Sequence, residues 1–145
     1  MTERLPLIKV GVIGYSAQKF DIAEAIRLLE SSLKPIQQKY GKDVELVSGL
    51  TDLGIPAVAY NLAKSYGWST AGVACSKAAM YKCYPVVRKQ IVGTDWGDES
   101  VAFLAQLDIL VRIGGGKQSM AEAQAFKPTG KLLIQHDLPP LPSTL

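Results

Sequence analysis

Short apolar runs alternate along the chain with stretches of helical periodicity. Residues 9–14 (KVGVIG) form a brief apolar run ending in glycine, the form of a buried parallel strand. Asp21 then opens a helical pattern, with Glu24 three residues on, a capping-box-like start. Ile22, Ile26, Leu29 and Leu33 recur at helical spacing; Pro35 breaks or kinks this helix and Tyr40-Gly41 closes it. Residues 44–47 predict a second strand. A loop over 48–54 follows, then a helix with Pro56 near its first turn and Gly67 past its end. Residues 70–75 read as a third strand, 77–84 as a short helix stopped by Pro85, and 90–93 as a fourth strand. Asp98-Glu99-Ser100 opens a helix running through Phe103, Leu104 and Leu107. The fifth strand, 109–113, runs into three glycines. A helix over 119–126, halted by Pro128, and a sixth strand over 131–135 complete the pattern.

Six strands joined by crossover helices predict an α/β fold: a three-layer, Rossmann-like, doubly wound parallel sheet with helices on both faces. The length of 145 residues suits one domain, expected to span 1–145 with short tails at 1–7 and 138–145. A 48% hydrophobic, 20% charged composition argues against disorder, collagen and coiled coil. There is no internal repeat, linker or low-complexity segment. Ligands of such sheets bind outside the carboxyl ends of the strands, so the loops after strands one, two, four and five matter most.

Charge and cysteine content narrow the chemistry. A formal net charge of +3 permits an anionic ligand but falls short of the basic stripe of a dedicated duplex binder. Cys75 and Cys83 make no disulfide framework and no Cys-x-x-Cys pair. With His136 as the lone histidine, a zinc site lacks its usual ligands, so no metal is expected. No apolar run reaches the roughly 18–20 residues of a membrane span, and the first residues carry no apolar stretch fit for a signal peptide. A cytoplasmic protein without a membrane partner is the expectation.

Three glycine-containing turns lie at the predicted strand ends. The first holds Gly14 and Ser16, the second Gly49, Thr51 and Gly54, the third Gly114, Gly115, Gly116, Lys117, Gln118 and Ser119. Glycine lets backbone N–H groups approach a ligand closely, and a helix N-terminus adds unpaired donors and a positive dipole end. Together they suit a phosphate-sized anion, to which Lys117 adds a charge and Ser119 a hydroxyl. Two widespread phosphate motifs do not fit. A P-loop needs glycine at Val111 and Ser or Thr at Gln118; a dinucleotide fingerprint needs glycine at Ser119 and belongs on the first turn.

The second and third turns resemble the paired signatures of the SLOG superfamily. That group includes LOG-type phosphoribohydrolases, molybdenum-cofactor carrier proteins and the Rossmann-like core of DNA-processing protein A recombination mediators. The LOG-type pattern is P-G-G-x-G-T-x-x-E after a strand. Residues 115–122 (GGKQSMAE) match its paired glycines, give Ser for Thr and keep the Glu as Glu122. Gly114 replaces the usual proline and Gln118 a glycine. Ser48-Gly49 and Gly54-Ile55 partly fit the mediator pattern S-G-x-A-x-G-I-D. The resemblance covers about residues 9–135. It implies a nucleotide or nucleotide-derived ligand held as in a carrier, sensor or regulatory module, and a homo-oligomer. Its LOG branch implies N-glycosidic hydrolysis of nucleoside monophosphates with Glu122 as the catalytic carboxylate. Its mediator branch implies single-stranded DNA as partner. The hydrolase arginine has no match, since no basic residue lies between Lys89 and Arg112. A bound nucleotide is the one cofactor-like molecule this suggests.

Plainer structural roles compete for the same residues. Ser119 and Glu122 also spell S-x-x-E, a helix capping box. Gly49 and Gly54 suit a turn as well as a ligand contact. Asp95, Asp98 and Glu99 read as a helix cap with solvated neighbours, or as ribose or metal ligands. Trp96 either stacks on a base or covers the core edge. Lys77, Tyr81, Lys82, Tyr84, Arg88 and Lys89 interleave cations and aromatics as single-strand binders do, and equally suit a solvated helix face. Cys75 and Cys83 read as small packing residues. His136 has no visible partner in the sequence.

Overall fold

The computed structural model describes residues 6–142. Its elements run β1 (Ile8–Gly14), α1 (Ile22–Tyr40), β2 (Val44–Ser48), α2 (Gly54–Ser65), β3 (Ser69–Ala74), β4 (Arg88–Ile91), α3 (Ser100–Ala105), β5 (Ile109–Ile113), α4 (Lys117–Phe126) and β6 (Leu132–His136). All strands are parallel, in the order β4-β3-β2-β1-β5-β6. The chain winds outward from β1 to β4, then returns to place β5 on β1's other side. That reversal puts α1 and α2 on one face and α3 and α4 on the other. Val10, Val12, Leu46 and Val111 pack with Leu29, Leu33, Ala59 and Tyr60 on the first face. Ile13, Val47, Val73 and Leu110 pack with Phe103, Leu107, Ala123 and Phe126 on the second. The sheet is therefore the expected three-layer, doubly wound one. Among the described residues, no helix is long and apolar enough to cross a membrane.

Several local expectations change. Helix α1 continues through Pro35 to Tyr40. Pro35 and Ser31 are exposed, so the carbonyl that loses its helical partner sits on the wet side. Asp21 does cap α1, accepting from the Glu24 N–H at 3.1 Å. The buried stripe of α1 is Ala25, Leu28, Leu29, Ser32, Leu33 and Ile36; Ile22 and Ile26 face solvent. The short helix expected over 77–84 is a single 3-10 stretch, Ser76–Met80, after which the chain extends. There Tyr84 donates to the Leu50 carbonyl at 2.8 Å and Thr51 pairs with Cys83 in an antiparallel bridge. Strand β4 comes two residues earlier than expected. Arg88, next to the core, pairs with the buried carboxylate of Glu45 at 2.8 Å, which an assignment from apolar runs overlooks. Lys117 and Gln118 belong to α4, which the pattern started at Ser119.

The tails expected at 1–7 and 138–145 lie partly outside the described residues. Leu138 is buried, and its carbonyl accepts from the Tyr15 hydroxyl at 2.9 Å. His136 contacts the Ser32 hydroxyl at 2.9 Å through Nε2, the partner its sequence context did not reveal. Cys75 is buried and Cys83 half-buried, both unbridged.

Candidate ligand-binding site

The reversal between β1 and β5 splits the loops at the carboxyl edge of the sheet. The loop after β1 turns toward one face and the loop after β5 toward the other, opening a crevice between them. A cavity of about 490 Å³ lies there, within the range of small-molecule sites. Loops after β1, β2, β3, β4 and β5 all contribute to its wall.

The glycine turn after β5 supplies hydrogen-bond donors. Gly114 and Gly115 have φ of +57° and +100°, so the chain reverses at once after the strand and starts α4. A side chain at Gly115 would stand 2.5 Å from Ser119 Cβ, so glycine there lets the Ser119 side chain fold back under the turn. The Gly114 N–H is already taken by the His136 carbonyl at 2.8 Å. The N–H groups of Gly115, Gly116, Lys117, Gln118 and Ser119 meet no acceptor among the described residues. Buried Arg112 on β5 secures the turn from behind. Its guanidinium donates to the Gly114 carbonyl, to Gln135 Oε1 and to Asp137 Oδ1, each at 2.8 Å.

The loop after β2 forms the opposite wall. Gly54, with φ +57°, lies so close to the Tyr15 and Ser16 carbonyls that a side chain would strike both, and Ile55 donates to the Tyr15 carbonyl at 2.8 Å. Leu50 is buried with φ +76°, a rare conformation for a branched side chain. It is held from both sides: its N–H donates to the Tyr60 hydroxyl at 3.1 Å and its carbonyl accepts from Tyr84. The Tyr60 hydroxyl donates in turn to the Ala71 carbonyl, and burial pushes its pKa up. Backbone held this firmly in an uncommon conformation is frequent beside binding sites.

Of the residues singled out in the sequence, Gly14, Ser16, Gly49, Thr51, Gly116, Lys117, Gln118, Ser119 and Glu122 all line this one cavity. Gly54, Gly114 and Gly115 stand behind the wall, shaping the loops. Thr51 and Ser119 are each more than nine-tenths buried, and neither hydroxyl has a hydrogen-bond partner among the described residues. The S-x-x-E capping box does not form. Gly116 is the N-cap residue, and Ser119 lies too far inside the helix to cap it. Glu122 instead reaches across to α3, where its Oε2 accepts from the Ser100 hydroxyl at 2.8 Å.

Glu99 is a site residue that the sequence left open between a helix-cap or solvated role and a ribose or metal ligand. It is buried, it lines the cavity, and neither it nor Asp98 gives α3 a side-chain cap. Its Oε2 accepts from the Gly97 N–H and its Oε1 from Gln118 Nε2, both at 3.1 Å. Asp98 accepts from the Thr94 and Asp95 N–H groups at 3.0 and 2.9 Å, which lowers its pKa and shapes the preceding loop. Desolvation raises the pKa of Glu122; the Ser100 and Gln118 side chains lower it, and the Glu99 charge raises it. Tyr15, Tyr81, Trp96 and Phe103 complete the aromatic part of the lining, with Tyr81 and Trp96 tilted against each other at 5.9 Å between centroids. Among the described residues, no three His, Cys, Asp or Glu side chains are grouped to hold a metal.

No protein-family model matches the sequence, and no curated relative matches it. Solved structures do. The molybdenum cofactor carrier protein of Chlamydomonas reinhardtii superposes with a TM-score of 0.71 at 20% identity, over 89% of this chain and 76% of that one. The molybdenum cofactor binding protein of the phototrophic bacterium Rippkaea orientalis gives 0.67 at 21% identity, over 92% and 77%. A structural-genomics target, TM1055, gives 0.69 at 20% identity, over 88% and 72%. The chain thus shares the Rossmann-like fold of these molybdenum cofactor carrier and binding proteins.

Proposed function

We propose that the chain is a binding module for a nucleotide or nucleotide-derived ligand, acting as a carrier, sensor or regulatory protein. The observation that carries this reading is the run of N–H groups from Gly116 to Ser119 at the start of α4, unpaired among the described residues and belonging to residues that all line the cavity, beside the Ser119 hydroxyl. Such a helix start is an anion site, and a phosphate supplies enough acceptors to engage several of these donors at once. Gly14, Ser16, Gly49 and Thr51 form the neighbouring wall and Lys117 the cation at the rim. The likeness to molybdenum cofactor carriers supports a holding role over turnover. The hydrolase branch lacks its second charged group: Lys117 is the one cation lining the cavity among the described residues, and the segment where the arginine would stand carries Glu99. Single-stranded DNA is favoured less. In the basic-aromatic stretch, Lys77 and Lys82 are paired with Asp95 and Asp52 at 2.8 and 3.2 Å.

A thermal-shift screen of nucleoside monophosphates, dinucleotides, ADP-ribose and cyclic nucleotides tests the reading. Ligand at 100 times its Kd adds about 2.7 kcal/mol to stability. At least one compound should raise Tm by several degrees in a concentration-dependent way; none doing so refutes the reading.

A further inference from the structure

The same cavity carries, one turn along α4 from its donors, a surface made almost wholly of acceptors. Glu99 and Glu122 are 6% and 7% exposed and both line the cavity. Ser100 donates to Oε2 of Glu122, and the Gln118 side chain lies close enough to favour its ionised form; the carboxylate keeps capacity for a further donor. Both oxygens of Glu99 accept bonds but keep capacity for a second donor. Two buried carboxylates facing one space are unfavourable as charges of like sign unless something bearing donors lies between them. The rim beside them is aromatic: Gly97, which donates to Glu99, follows Trp96, and Trp96 tilts against Tyr81. Both rings are about half exposed and line the cavity, placed to cover the face of a planar group.

Resting on the nucleotide reading above, we propose that Glu99 and Glu122 select a base with a guanine-type edge, in which a ring N–H and an exocyclic amine point the same way. Adenine offers an acceptor beside its amine, and uracil's N–H is flanked by two carbonyls. Either would set an acceptor against a carboxylate. A guanine-type edge gives only donors there, with Tyr81 and Trp96 against the ring and the phosphate on α4. A ribose diol also bears two donors, but it has no flat face for the aromatic pair.

Calorimetric titration with GMP, IMP and AMP, alongside Trp fluorescence quenching, tests this. IMP lacks only the exocyclic amine. A site built to bond that amine rejects the analogue without it strongly. GMP should bind at least about tenfold tighter than IMP and AMP. Glu99→Gln, or Glu122→Gln where the first variant fails to fold, should shrink the preference to about threefold or less. Equal affinity for the three nucleotides, or a preference unchanged by both substitutions, overturns the proposal and leaves the nucleotide reading standing. Failure of all three to bind overturns this proposal and counts against the broader reading as well.

Discussion

The two ends of the cavity are opposites that meet on α4, with Glu99 added from the start of α3. At the start of α4, among the described residues, five consecutive N–H groups meet no acceptor and the Ser119 hydroxyl has no hydrogen-bond partner. One turn on, Glu122 and its neighbour Glu99 present oxygens with capacity to spare. The donor end is inexpensive to build, because every helix start leaves such groups and glycine merely bares them. The acceptor end holds buried charge, which folding alone disfavours. Both ends lie within one cavity, the arrangement on which the proposed ligand, with a negative end and a donor-bearing end, depends.

The largest expected effect comes from closing the donor end. Gly115→Ala forces a side chain into a φ of +100° and against Ser119. Strain of this kind costs on the order of 1–3 kcal/mol, and the turn must open to relieve it. Nucleotide affinity measured by calorimetry should fall by about a hundredfold or more, since several charge-assisted bonds are misaimed together. Affinity within threefold of the parent would separate the donors from binding.

A smaller effect, of opposite sign for stability, sharpens the acceptor end. The Glu122 carboxyl has a pKa raised above its ordinary 4.5 in the folded protein, chiefly by burial. The folded state therefore holds the proton more tightly than the unfolded chain. Its contribution is present at pH below about 4.5 and is lost as pH rises through the folded value. Glu122→Gln, which never ionises, should raise Tm by a few degrees at pH 7.5, and the gain should vanish near pH 4. An equal difference at both pH values would show that ionisation is not the cause.

The donor end was legible in the sequence because glycine marks the unusual backbone it needs. Gly114 to Gly116 after an apolar run announced the turn, and Ser119 and Glu122 fell at the spacing of a resembling motif. Of the acceptor end only Glu122 carried such a mark, while Glu99 stood undecided among three neighbouring acidic residues. Glu99 owes its place to a backbone N–H two residues back and to Gln118 from a distant helix, neither of which leaves a periodic trace. In sequence it looks like one more acidic residue at a helix start. Tyr81 was hidden by a helix expected across 77–84, where bonds to Leu50 and Thr51 instead draw the chain out. Arg112 carried a readable signal, a cation within the apolar run Ile109–Ile113, but only the fold shows that it braces the Gly114 carbonyl. Strand count and winding were readable from alternation; strand order came from packing.

Amide NMR tests the donor claim most directly, because Gly114 is an internal control. In a ¹H–¹⁵N titration with GMP, the amide protons of Gly115 through Ser119 should move markedly on saturation as they gain a charged acceptor. The Gly114 amide, already bonded to the His136 carbonyl, should move least of the turn. Saturable binding that leaves the Gly115–Ser119 signals in place would contradict the account.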